Sequence, residues 1–325
     1  MILKFNDFYN KNDNVFDYVN EKLTVSMDVN SATDMVVKFI ENFNGDKNVV
    51  ESDDVYDVIK FKKNPKISVF GCECELDLTI YDVANDVDVD VVDSVLNDND
   101  FGARIYSNYN TLNGIVNISF KIEGNILMKN GIISDRSRTV ISHELRHAYE
   151  QSMIYNGLPE VNRDKIMEIS KKWRMIYRAS VEYVRLCKTF MFVKLVDNPT
   201  FCKILYTIYC CDVSEISAFT QEAYESCKDC KSKNEVKNKI CKTDLYGLMQ
   251  LFSQTIDMIE SKEVQDIYNE NKKKYKFDYF PTIHNLLKLI TKRYMKARTN
   301  YGKVFALICG RFDKNEGLDL IDVKY

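Results

Sequence analysis

The sequence predicts an α+β fold: a small mixed sheet, one chemically distinctive helix, and a predominantly helical C-terminal part. Three observations lead there. Period-two alternation is confined to a stretch between about residues 65 and 122. Elsewhere, apolar residues recur mostly at spacings of three and four. Eleven Gly and four Pro in 325 residues leave little turn punctuation for a many-stranded all-β chain. The expected organisation is an N-terminal helical segment over 1–64, a small sheet plus helix over 65–157, and a helical part over 158–325.

Composition bounds the function classes. With 45% hydrophobic and 12% aromatic residues the chain can build a substantial core, which excludes global disorder. Basic and acidic side chains nearly balance, 45 against 48, so no whole-chain charge points to nucleic acid or a membrane surface. The start, Met1 to Asn10, lacks the basic-then-apolar run of a signal peptide. No uncharged apolar stretch reaches the roughly 18 residues of a spanning helix. A soluble, cytoplasmic protein with reduced cysteines is the expectation.

Taken in order, the stretches Val15 to Leu23 and Ala32 to Phe43 read as helices. Ile67 to Phe70 and Glu75 to Tyr81 alternate as half-buried strands do. The acidic run holding Asp82, Asp86, Asp88, Asp90, Asp93, Asp98 and Asp100 lacks the glycine and terminal glutamate of an EF-hand, and reads as a solvated edge or loop. Gly114 to Ile122 is a further strand. Ser134 or Asp135 caps a helix from about Arg136 to Met153, and Asn156-Gly157 with Pro159 stops it. Helical faces follow along Ile166 to Cys187, Leu245 to Ile259 and Ile283 to Tyr294, all read as core. The Lys-rich stretch Lys228 to Lys242 reads as a surface connection. Cys227-x-x-Cys230 with Cys241 supplies three sulfurs but no fourth ligand at zinc-ribbon spacing, so idle thiols are expected. Basic residues from Lys272 to Arg298 interleave with Tyr275, Phe277, Tyr279 and Phe280. Without a recognisable binding motif they read as a solvated helix face rather than a nucleic-acid footprint.

The chemistry concentrates in Ser142-His143-Glu144-Leu145-Arg146-His147, which is His-Glu-x-x-His. On a helix the two histidines lie one turn apart on one face and can reach one Zn²⁺ ion, while Glu144 sits beside them as a base for water. Catalytic zinc takes three protein ligands and leaves one position open. No histidine follows within residues 148 to 157, so the third donor must come from elsewhere. Glu215, in Cys211-Asp-Val-Ser-Glu215-Ile-Ser-Ala218, is the leading candidate; Glu222 and, less well placed, Glu150 are alternatives. Asp212-x-x-Glu215 also has the form of a capping box, which would give Glu215 a purely structural task.

These residues, between about 114 and 225, resemble the gluzincin branch of zincin metallopeptidases, in which a second helix offers Glu as third ligand. The resemblance implies a zincin-like catalytic unit with His143, His147 and Glu215 holding zinc, and Ala218 as the small residue that lets two helices approach. It implies a zinc metallopeptidase acting on peptide or protein substrates, with a zinc-activated water and Glu144 as general base. An oxyanion donor is expected in such sites; His284 is the residue named for it, with Tyr155 and Tyr224 as further candidates. His284 also fits the polar face of an amphipathic helix. The chain departs from the gluzincin pattern at Phe219, where those enzymes often carry an Asp that orients a histidine. That departure motivates the alternative of a catalytically inactive zincin-like structural or interaction protein.

Overall fold

The computed structural model describes residues 27–84 apart from 44, 46 and 53, together with 87, 102–156, 199–275 and 283–312. It separates into two compact units, Met1–Lys172 and Trp173–Tyr325. The predicted helix over 15–23 and the stripe from Ile166 to Cys187 lie outside the described residues, as does most of the acidic run after Asp82.

The first unit is a mixed α/β layer. Helix α1 (Met27–Glu41) is followed by strands β1 (Lys47–Ser52), β2 (Tyr56–Phe61), β3 (Lys66–Val69), β4 (Cys72–Val83), β5 (Gly102–Leu112), β6 (Ile115–Lys129) and β7 (Ile132–Ile133). Helix α2 (Asp135–Tyr155) closes the described part. The seven strands form one sheet in the order β1-β2-β4-β6-β5, with β3 paired to β4 and β7 to β6. Only β4 and β6 run parallel; every other pairing is antiparallel. The sheet is therefore mixed, as expected, but it begins earlier. Residues 47–52 and 56–61 are strands rather than part of a helical segment, because Val49, Val50, Tyr56, Val58, Ile59 and Phe61 are residue types that fit a pleated surface better than a helix.

Strand β4 shows why the sheet holds one face to the core. Cys72, Cys74, Leu76, Leu78 and Ile80 point inward and are buried, while Glu73, Glu75, Asp77 and Thr79 alternate outward. Against this face pack α1 through Val29, Val36, Val37 and Ile40, and α2 through Ile141, Leu145, Ala148 and Tyr149. The two helices are also tied by the Arg138–Asp34 ion pair and by the Tyr149 hydroxyl donating to Asp28 at 3.4 Å. Strand β5 joins β6 through the two-residue turn Asn113-Gly114, both with positive φ (53° and 74°). Asn-Gly suits that turn because both positions lie in the left-handed region.

The second unit is helical: α3 (Pro199–Cys210), α4 (Val213–Cys227), α5 (Lys233–Ile240), α6 (Asp244–Glu260), α7 (Lys262–Tyr275) and α8 (Ile283–Cys309). The expected core stripes hold: Leu245, Leu248, Phe252, Ile259 and Ile290 are buried together with Phe201, Ile204, Ile208 and Ile216. The Lys228 to Lys242 stretch is not merely a connection. Ser232 accepts from the Glu235 amide at 3.2 Å, the Glu235 carboxylate accepts from the Lys231 amide at 2.7 Å, and the helix α5 that follows buries Val236 and Ile240. No helix among the described residues is long and apolar enough to cross a membrane.

Candidate metal centre

Helix α2 presents the His-Glu-x-x-His on a rigid support. Ser134 caps it, its hydroxyl oxygen accepting from the Ser137 amide at 3.2 Å, and Asn156 ends it, its amide donating to the Ser152 carbonyl at 3.1 Å. Ile141, Leu145 and Ala148 are wholly buried at spacings of four and three, which fixes the rotation of the helix on the sheet. That rotation leaves His143, Glu144 and His147 half-buried on the adjoining faces. The two imidazoles meet edge to face one turn apart, ring centroids 5.1 Å from each other and planes 73° apart. Two imidazoles and a carboxylate are the donor types that zinc takes in catalytic sites.

Glu144 is tied to the sheet. Its Oε2 accepts a hydrogen bond from the Ile105 backbone amide at 2.8 Å. The direction of that amide follows from register. A two-residue turn makes Leu112 and Ile115 a hydrogen-bonded pair, and alternation then assigns Asn110, Asn108, Tyr106 and Arg104 to the ladder with β6. Ile105, Ser107 and Tyr109 consequently turn their amides away from β6, toward the outer edge of the sheet. Two turns beyond Glu144 on the same helix face, Gln151 Oε1 accepts from the Ser107 hydroxyl and, at 3.2 Å, from the Tyr109 hydroxyl. The edge strand and α2 are thus linked at three places, and of the linking residues only Glu144 stands out in the sequence. Polar Ser, Asn and Thr in β5 hide it from a search for apolar alternation.

In the second unit, Asp212 caps α4, its carboxylate accepting from the Ser214 amide at 2.9 Å. Glu215 lies in the first turn, half-buried, and its carboxylate accepts from the Tyr209 hydroxyl at 3.1 Å. Burial, reinforced by the Glu215 charge and the hydrogen bond to it, pushes the Tyr209 phenol well above its ordinary value, so it stays a donor. Ala218 is wholly buried, Phe219 packs at the edge of the helical core, and Glu222 is half-buried on the same helix. Glu150 is committed elsewhere: its Oε1 accepts from Arg146 Nε at 3.0 Å.

The other sequence candidates are dispersed. Tyr224 is buried, its hydroxyl oxygen accepting from Arg311 Nη2 at 2.8 Å. His284 falls in the first turn of α8 and Tyr155 at the end of α2; both side chains lie outside the described residues. Cys227 and Cys230 are buried and Cys241 is exposed, all free. Burial pushes the Cys227 thiol up to about 12. Among the described residues the three sulfurs do not gather into a metal-binding group. No family model, no curated protein and no solved structure matches this chain.

Proposed function

We propose that this protein is a zinc-dependent metallopeptidase of the gluzincin type, with His143, His147 and Glu215 as ligands and Glu144 as general base. The observation that carries the reading is the donor set. Two imidazoles share a helix face with the Glu144 carboxylate between them in sequence, and Glu215 offers a further carboxylate from the first turn of α4. Bound there, zinc would supply Lewis acidity toward a carbonyl oxygen and lower the pKa of a coordinated water toward about 7. Tyr209 steadies Glu215 by donating to its carboxylate, an arrangement of the kind that orients metal ligands elsewhere. Glu144, oriented by the Ile105 amide, would take a proton from water and deliver it to a leaving amine.

The sheet edge supports a peptide as substrate. Beyond Ile105 the outward amide of Ser107 offers a strand-addition site to an extended chain, next to the base that Ile105 holds. The test is the zinc-to-protein ratio of the purified protein by elemental mass spectrometry. About one equivalent is expected in the wild type. His147→Ala and Glu215→Ala should lose it and Glu222→Ala should keep it. No zinc after reconstitution would overturn the reading and favour the inactive scaffold, for which the Phe219 departure is the specific motive.

A further inference from the structure

Helix α2 carries a second polar face that the metal site does not use. Ser142, Arg146 and Glu150 follow one another at four-residue spacing, and all three are buried, Arg146 completely. Glu150 Oε1 accepts from Arg146 Nε at 3.0 Å. Both terminal nitrogens of the guanidinium, Nη1 and Nη2, and the Ser142 hydroxyl are buried without any hydrogen-bond partner. The Tyr149 ring lies 5.9 Å from the guanidinium carbon and covers it without offering an acceptor to it. Three orphaned donors within one turn of one helix are costly, because each loses its water and gains nothing in exchange.

We propose that Ser142 and Arg146 form a binding site for a small carboxylate, separate from the histidine face of the same helix. The end-on fork of Nη1 and Nη2 is the edge of a guanidinium that pairs with two oxygens at once. Glu150 takes the other edge, so a carboxylate docking on the fork completes the guanidinium's hydrogen bonding, and the Ser142 hydroxyl adds a third donor from the preceding turn. The Glu150 charge on the same guanidinium selects a monoanion, since a dianion such as sulfate or phosphate would meet stronger repulsion. The carboxylate can be free in solution or stand at the end of a peptide; the chemistry of the fork is the same.

The experiment measures the melting temperature of the full-length protein against formate, acetate, sulfate and N-acetylglycine, with chloride holding ionic strength constant. A saturable rise is expected with formate or acetate and not with sulfate. Ser142→Ala should weaken it about tenfold, the value of one charge-assisted hydrogen bond. Arg146→Gln should abolish it, and His147→Ala should leave it intact. Where Arg146→Gln fails to fold, the Ser142→Ala titration decides alone. A rise with N-acetylglycine but not with its amide would assign the site to a peptide carboxyl end; a rise with formate and acetate alone would assign it to a free small carboxylate. The proposal is overturned by an absent or non-saturable response, by one equal in the wild type and Ser142→Ala, or by one lost in His147→Ala, which would put the carboxylate on the metal. This readout does not depend on zinc or turnover, so its failure is distinguishable from failure of the peptidase reading.

Discussion

The Glu144 carboxylate receives the outward amide of Ile105 at 2.8 Å, joining the general-base candidate to the edge strand of the sheet. A hydrogen bond of this kind holds the carboxylate in one orientation. It also uses one edge donor, so an added strand would pair beyond Ile105, from Ser107.

Glu144→Gln separates metal holding from proton transfer. The amide oxygen of Gln can still accept from Ile105, so the helix and edge stay joined while the base is lost. The variant should keep its zinc and lose about 10²- to 10⁴-fold in turnover. Zinc stoichiometry alongside cleavage of a peptide library checks both halves. Undiminished cleavage would remove Glu144 from the chemistry.

Tyr209→Phe deletes the hydroxyl that donates to Glu215 and nothing else. A tenfold to hundredfold weaker zinc affinity is expected, the usual loss when an orienting partner of a ligand is removed. Competition with a chelator of known affinity measures it. An affinity equal to the wild type would mean that Glu215 is not oriented through Tyr209.

Gly124→Ala should loosen the edge strand. A Cβ there would stand 2.2 Å from the Gly102 carbonyl oxygen and 2.6 Å from the Ala103 Cα, both backbone atoms of the neighbouring strand. Relief requires β5 to move, at a cost of about 1–3 kcal/mol as in overpacked cores. Urea unfolding reads that loss; a midpoint equal to the wild type would show that β5 does not lie so close.

Alkaline pH should destabilise the fold through its buried thiols. Burial pushes Cys74, Cys210 and Cys227 from 9.0 up to about 12 each. Below about pH 9 folded and unfolded chains hold the same thiol protons, and the stability is complete. Above it the unfolded chain releases protons that the folded chain retains, so stability falls with rising pH until the buried thiols ionise near 12. Denaturant midpoints between about pH 8 and 10.5 should fall less steeply in Cys74→Ala than in the wild type. Equal slopes would show that Cys74 ionises as readily folded as unfolded.

Local patterns in the sequence were good guides where burial is one-sided. The alternation of Glu75 to Tyr81 and the cap and stop of α2 both appear in the structure, because each is decided within a few residues. Strand β5 was not legible: from Tyr106 onward much of it is exposed, so no inward face writes itself into the residue types. Helix α5 carried a readable signal, Ser232 and Glu235 at capping-box spacing, beneath a misleading lysine content. The metal-ligand candidates were legible from residue chemistry. Their supports, Ile105, Gln151 and Tyr209, were not, since each depends on which elements the fold brings side by side.

The two-residue turn between β5 and β6 has a kinetic consequence. Strand β5, strand β6 and helix α2 are consecutive in the chain, so joining Ile105 to Glu144 closes a loop of fewer than forty residues. The parallel pairing of β4 with β6 reaches across a longer connection and carries a larger closure entropy. By loop closure alone the local hairpins β1–β2, β3–β4 and β5–β6 come first, and the joining of α2 to β5 and the pairing of β4 with β6 follow over longer separations. The histidine pair and its neighbouring base are thus seated on an edge strand that its own short hairpin has already built.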